Sequence, residues 1–270
     1  ADTAATAMPL RKKQQTSCLL GVINARSVCN KSLELNEMIT DLCLDILCIC
    51  ETGLHGDLRD NSILSELVPD GFKVEHLARH ERGGGVAAIF RKEFPMKLPD
   101  RVVFESFEHL DIILQTQPPL RLLIVYRPPT SSRTPPFSCF ITEMEQLLDT
   151  VIACGGELLI TGDFNIHINV NTSQTTRFKE LMAAYSLEQL VHGATHKAGH
   201  TLDLVLSRAD STRRPSVSVL DKCLFDHFLV LCDLPQGHPP KHMRSVEYRR
   251  IRAINRNAFI DDILHSDLQC

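Results

Sequence analysis

The chain has 270 residues, 43% of them hydrophobic and 23% charged, and a formal net charge of −4. That length supports one large core, and the acidic balance excludes a uniformly basic nucleic-acid coat, so a polyanion must be met by a local patch or through a bound cation. No apolar run approaches the roughly eighteen residues that span a bilayer, and no charged-then-apolar leader opens the chain, so neither membrane insertion nor secretion is expected.

Residues 1–16 are small, polar and basic without periodicity, and predict a flexible leader. Cys18 to Ile23 predicts the first strand. Leu35, Met38, Ile39 and Leu42 then recur at i, i+3, i+4 and i+7, one face of a helix. Ile46 to Cys50 reads as a buried strand. Phe72–Leu77 and Val86–Phe90 read as strands joined by a turn at Arg82-Gly83-Gly84-Gly85. Val102–Phe104, Leu110–Leu114 and Leu120–Tyr126 extend the β character, with Pro118-Pro119 separating the last two. Phe140, Met144, Leu147, Leu148 and Val151 line a helix that Gly155-Gly156 ends. Leu158–Ile160 predicts a strand, and Phe178, Leu181, Met182 and Tyr185 a further helix. Leu202–Leu206, Val217–Leu220 and Phe228–Leu231 predict the last strands. Many short strands with few helices predict packed sheets covered by helices.

The ten cysteines sit mostly in apolar runs such as Leu47-Cys48-Ile49-Cys50, and read as reduced core thiols rather than a disulfide framework. From Lys241 to Arg256 there are six Lys/Arg and one Glu. Gly237-His238-Pro239-Pro240 before it marks a boundary. The expected organisation is a leader at 1–16, a domain at 17–236 and a basic linker at 237–270.

The chemistry-bearing residues gather where apolar strands end, which is where a core presents side chains to a cleft. Asn24, Glu51-Thr52, Tyr126, Gly162-Asp163-Phe164-Asn165 and Asp226-His227 all stand at such exits, and Asp203 lies within Leu-Asp-Leu. Extended geometry puts Asp163 and Asn165 on one side, with Phe164 turned to the core. A carboxylate buried like Asp203 must be paired or protonated, and a histidine is a suitable partner. The set suits metal-assisted phosphodiester hydrolysis. Neither a Gly-x-Ser-x-Gly elbow nor a phosphate-binding P-loop is present. His192, His196 and His200 have helical spacing, but Gly193 and Gly199 argue against a helix and against a structural zinc site there.

In this order, Asn24-Ala25-Arg26-Ser27, Glu51-Thr52, Arg82-Gly83-Gly84-Gly85-Val86, Tyr126-Arg127-Pro128-Pro129, Gly162-Asp163-Phe164-Asn165, His200-Thr201-Leu202-Asp203-Leu204 and Asp226-His227 resemble the endonuclease domain of LINE-type (non-LTR) retrotransposons. That domain is a branch of the DNase-I-like exonuclease/endonuclease/phosphatase superfamily, which includes apurinic endonucleases. The resemblance implies an α/β fold, a four-layer α-β-β-α sandwich of two packed mixed sheets flanked by helices. It implies Mg²⁺-dependent (or Mn²⁺-dependent) nicking of double-stranded DNA that leaves a 3′-hydroxyl to prime reverse transcription. Its implied partners are the element RNA and a reverse transcriptase domain beyond the basic linker. Synthesis in the cytoplasm and action in the nucleus follow from the substrate.

By motif, the resemblance implies that Glu51, Asn24 and Asp226 hold or neighbour the metal. Asp163 would activate water, Asn165 would contact the scissile phosphate, and Asp203 would orient His227 to stabilise phosphoryl charge. Tyr126 would complete that environment. Arg26, Arg127, Lys197, His200 and Thr201 would contact DNA, the last three from a groove-reaching hairpin. Phe225 stands where the resemblance implies Ser or Thr, so a weakened enzyme is expected provided its ring does not displace His227. The competing readings are an abasic-site repair endonuclease, a phosphatase of the same fold acting on lipids or inositol phosphates, and a disabled relic that binds DNA or a partner.

Overall fold

The computed structural model describes residues 17–78, 83–116, 118–235 and 256–265. The expected leader at 1–16, Arg82 and the basic run at 241–255 lie outside them. Two compact units emerge, Ala1–Pro239 and Pro240–Cys270.

The larger unit begins β1 (Ser17–Asn24), α1 (Ser32–Asp41), β2 (Ile46–Cys50), α2 (Asp60–Leu67), β3 (Phe72–Leu77), β4 (Val86–Arg91), β5 (Met96–Lys97) and β6 (Glu108–Leu114). It continues β7 (Leu120–Tyr126), α3 (Phe137–Ala153), β8 (Glu157–Asp163), α4 (Ser173–Ala184), β9 (Leu187–Gln189), β10 (Asp203–Arg208), β11 (Ser216–Leu224) and β12 (His227–Pro235). Within the second unit, α5 spans Arg256–Leu264.

The strands form two six-stranded sheets, ordered β11-β12-β1-β2-β4-β3 and β5-β6-β7-β8-β10-β9. Each sheet has one parallel pair at its centre, β1 with β2 and β7 with β8. A parallel pair needs a crossover, and α1 and α3 supply the two. The central strands β2 and β7 are buried at every residue: β2 is an unbroken apolar run, and the charge within β7, Arg121, is paired with Asp111.

The two sheets face each other through Leu20, Val22, Cys48, Phe90, Ile124, Val205 and Val230. Leu35, Met38 and Ile39 of α1 cover the outer face of the first sheet. Phe140, Met144 and Leu148 of α3, with Phe178 and Leu181 of α4, cover the outer face of the second. This is the predicted α-β-β-α sandwich of mixed sheets.

The two crossovers decide where the site lies. They point the C-terminal ends of β1, β2, β7 and β8 to one end of the sandwich. Antiparallel β10 and β12 bring their first residues, Asp203 and His227, to that same end. Gly162 lets β8 lie tight against β7 there: its φ is 131°, and a Cβ would stand 2.0 Å from the Val125 carbonyl oxygen.

Some elements differ from expectation. Val102–Phe104 is not a strand; Val102 and Val103 are exposed, and among the described residues no strand pairs with them. The short β5 and β9 and the mostly polar α2 lack a periodic apolar signal and were not predicted. The thiols of Cys48, Cys50 and Cys232 are buried and unbridged, as expected. Among the described residues no helix is long and apolar enough to cross a membrane.

Candidate active site

Strand register assembles the site. Asn24 pairs with Cys50, which places Glu51 just past the adjoining strand end. Tyr126 pairs with Asp163, and Asp163 with Asp203. Asn24 then links the sheets: its Nδ2 donates to Glu51 Oε1 at 2.8 Å and to Asp163 Oδ2 at 2.7 Å. Its Oδ1 accepts the Arg26 amide at 2.8 Å. Asn24 therefore bridges two carboxylates through its amide hydrogens.

Asp163 is fully buried. The Asn165 amide donates to its Oδ1 at 2.9 Å, and Asn165 Nδ2 donates to its Oδ2 at 3.1 Å. That same Nδ2 donates to the Arg127 carbonyl at 2.8 Å. Both hydrogens of the Asn165 amide are thus engaged, and the side chain aims Asp163 instead of offering the phosphate contact implied by motif. Burial, then the charge of Asp203, push the Asp163 carboxyl up to about 8, against the pull of His227, Asn165 and Asn24.

His227 Nδ1 lies 2.8 Å from Asp203 Oδ2. Burial alone would lower its pKa, but the bond and charge of Asp203 raise it to about 9. The ring is charged at neutral pH, and with Nδ1–H on Asp203 its Nε2–H is the remaining donor. The other oxygen of Asp203, Oδ1, is buried without a hydrogen-bond partner. Asp163, Asp203 and His227 have ligand atoms within 4.8 Å of one another, as do His196, Asp226 and His227. Tyr126 is buried against Glu51 and Asp163; burial first, then those two charges, keep its phenol protonated.

Phe225 does not displace His227. Its side chain turns outward and is 53% exposed. Arg26 lies over its ring, 4.4 Å from the centroid, and 3.5 Å from Asp226. Asp226 also faces His196 Nε2 at 3.6 Å.

The expected DNA contacts divide. Arg26 and Lys197 are exposed near the site. Arg127 is a correction: it is buried, with Nη1 on the carbonyls of Phe164 and Asn165, Nη2 on Thr130, and its guanidinium over Phe137 and Phe140. It braces the loop that carries Asn165. Thr201 is a second correction, since its hydroxyl is buried on the Gly193 carbonyl at 2.6 Å. His200 is half-buried and stacks on His167 with centroids 3.9 Å apart. The segment 192–200 is a turn closed by His200, not a helix, and its three histidines form no metal cluster among the described residues.

Two supports had no sequence signal. Thr195 Oγ1 accepts the amides of Leu202 and Asp203 at 2.9 and 3.0 Å, fixing the start of β10. Cys50 Sγ accepts the Asp163 amide at 3.4 Å and donates to the Val125 carbonyl at 3.4 Å, tying the sheets under the site. Around the rim, Arg26, Ser27, Glu51, Asn165 and Phe225 have φ of 52°, 139°, 54°, 48° and 73°. Such left-handed backbone is strained for side-chain-bearing residues and gathers at functional sites.

A search of curated proteins gives no match. The endonuclease domain of TRAS1, a telomere-specific non-LTR retrotransposon, superposes with a TM-score of 0.66 at 12% identity, over 82% of this chain and 99% of that one. The AP endonuclease LMAP of Leishmania major gives 0.66 at 14%, over 88% and 93%. The 3′ phosphatase NExo of Neisseria, solved with a product DNA hairpin, gives 0.56 at 18%, over 80% and 99%. At such identities these likenesses establish the fold. The sequence profile of the endonuclease/exonuclease/phosphatase family matches residues 14–235, most of the chain, and to that family the chain belongs.

Proposed function

We propose that the chain is a divalent-cation-dependent endonuclease that nicks one strand of duplex DNA and leaves a 3′-hydroxyl. The observation that carries this reading is the Asn24 bridge, which joins Glu51 to Asp163 beside the Asp203–His227 pair.

The donor set fits Mg²⁺. It is made of hard carboxylate oxygens, Asp203 Oδ1 is buried without a partner, and two carboxylates face each other across β8 and β10. Glu51, Asp163, Asp203 and Asp226 are the carboxylates that would hold or neighbour the ion; Mn²⁺ takes the same donors. When bound, the ion supplies a Lewis acid on a phosphoryl oxygen.

The chain's own groups do the rest. Asp163, aimed by Asn24 and Asn165, takes the proton of the attacking water. His227 donates Nε2–H to the phosphoryl oxygen as charge builds, with Asp203 holding its other nitrogen. The protonated Tyr126 offers a donor beside Glu51. Arg26, Lys197 and His200 meet flanking DNA.

The Tyr126-Arg127-Pro128-Pro129 and His200–Leu204 motifs support the retrotransposon branch. There the new 3′-hydroxyl primes a reverse transcriptase domain copying element RNA in the nucleus. The abasic-site reading is favoured by one observation, the equal TM-score to LMAP.

A supercoiled-plasmid assay tests this. Nicking with Mg²⁺ and 3′-hydroxyl ends are expected, with none in EDTA or in Asp163→Ala or His227→Ala. Equal nicking by those variants would refute the site, and much faster cutting of an abasic oligonucleotide would establish the repair reading.

A further inference from the structure

Phe225 has no part in the chemistry above, yet its surroundings are specific. It is the first of two residues linking Leu224 to His227, which pair across the β11–β12 hairpin. Its φ is 73°, at a place where two-residue loops favour glycine. A large apolar side chain is therefore held at a strained, exposed position next to Asp226 and His227.

Two cations lie against its ring. The Arg26 guanidinium carbon is 4.4 Å and the Lys31 ammonium 5.5 Å from the centroid. Both come from the segment that follows β1, just past Asn24. Lys31 is anchored by donating to the carbonyls of Ala25 and Ser27. Arg26 is side-chain exposed by 58%, and its nearest anion, Asp226, is 3.5 Å away, long for a charge-assisted bond. An aromatic face holds a guanidinium by its quadrupole without occupying the N–H donors, which stay available to an anion.

We propose that Phe225 is a positioning residue whose ring holds Arg26 and Lys31 as a cationic clamp for a DNA phosphate flanking the scissile linkage. This rests on the endonuclease reading. The ring supplies no charge itself; it fixes where the charge waits. The anion recognised is a phosphodiester of the substrate backbone, so the clamp adds affinity without base preference.

The test measures duplex-DNA binding without divalent cation across a salt series, and plasmid nicking with Mg²⁺, for the parent, F225L, F225G, F225Y, R26A and F225L/R26A. F225L is expected to weaken binding about two- to fivefold. Its log–log salt slope should become shallower by about 0.9, one phosphate's worth. F225G relieves the backbone and so folds at least as stably, and it should show the same loss. F225Y should retain parental values. The nicking defect should fall on KM more than on kcat, and F225L/R26A should lose less than the sum of the two single losses.

Parental affinity and slope in F225L or F225G would overturn the clamp, as would losses that simply add in the double variant. A parent that neither binds nor nicks DNA would instead overturn the endonuclease reading on which the clamp stands.

Discussion

At the floor of the site, Asp163 and Asp203 are fully buried, and every partner they have comes from a different strand or loop of the sandwich. At the rim, Arg26 and Phe225 are more than half exposed; a cation–π contact joins them, and one long ion pair joins Arg26 to Asp226. The floor is over-determined by strand register, so its geometry survives a substitution that changes only chemistry. The rim is held by single contacts of the order of 0.5–1 kcal/mol, so its residues can be exchanged while the fold persists. Phe225 illustrates this: a ring, where the motif resemblance implies a hydroxyl, leaves the 2.8 Å Asp203–His227 contact intact.

Perturbing the floor should give the largest effects. Asp163→Asn keeps the shape and removes the proposed base, and plasmid nicking should fall by about 10²–10⁴. Its two oxygens accept from Asn24 and Asn165, and an amide NH₂ in place of either meets a donor, so a modest fall in melting temperature is expected; loss of the folded state would mean that Asp163 is chiefly structural. Gly162→Ala pushes a Cβ into the Val125 carbonyl, 2.0 Å away, and should cost about 3–5 kcal/mol in urea unfolding.

Arg127→Ala strips donors from two loop carbonyls, and the expected cost is about 2–4 kcal/mol. If that variant lost DNA affinity without losing stability, Arg127 would belong to the rim after all.

A pH series sharpens the same contrast. His227 has its pKa raised from 6.5 to about 9, so its stabilising contribution is complete below pH 6.5 and fades as pH rises through 9. Asp163, raised from 3.8 to about 8, adds a decline of the same sign between those values. Denaturation in EDTA should therefore show stability falling towards alkaline pH, and Asp203→Asn should flatten that slope. Smallest of all, Lys197→Ala at the rim should weaken DNA binding uniformly and reduce the salt slope by about 0.9.

The sandwich was legible where burial writes a pattern. Leu35, Met38 and Ile39 announced α1, and the unbroken apolar β2 announced a buried strand. Val102–Phe104 misled because β-branched residues favour strands only where a neighbour pairs with them, and here Val102 and Val103 face solvent. In the site, polar groups at strand ends were readable because each follows an apolar run. Which hydrogen each donates was not, so Asn165 and Arg127 were given DNA contacts that their internal partners occupy. Thr195 and Cys50 left no trace, since an oxygen or a sulfur capping an amide across a loop has no spacing rule.

The left-handed backbone at Glu51, Asn165 and Phe225 carries a consequence for engineering. Glycine at any of them would relieve about 1 kcal/mol of strain while deleting the side chain. At Glu51 and Asn165 the lost bonds to Asn24, Asp163 and the Arg127 carbonyl outweigh that relief, so selection for heat tolerance alone would favour glycine only at Phe225, and would remove the ring that stands over Arg26.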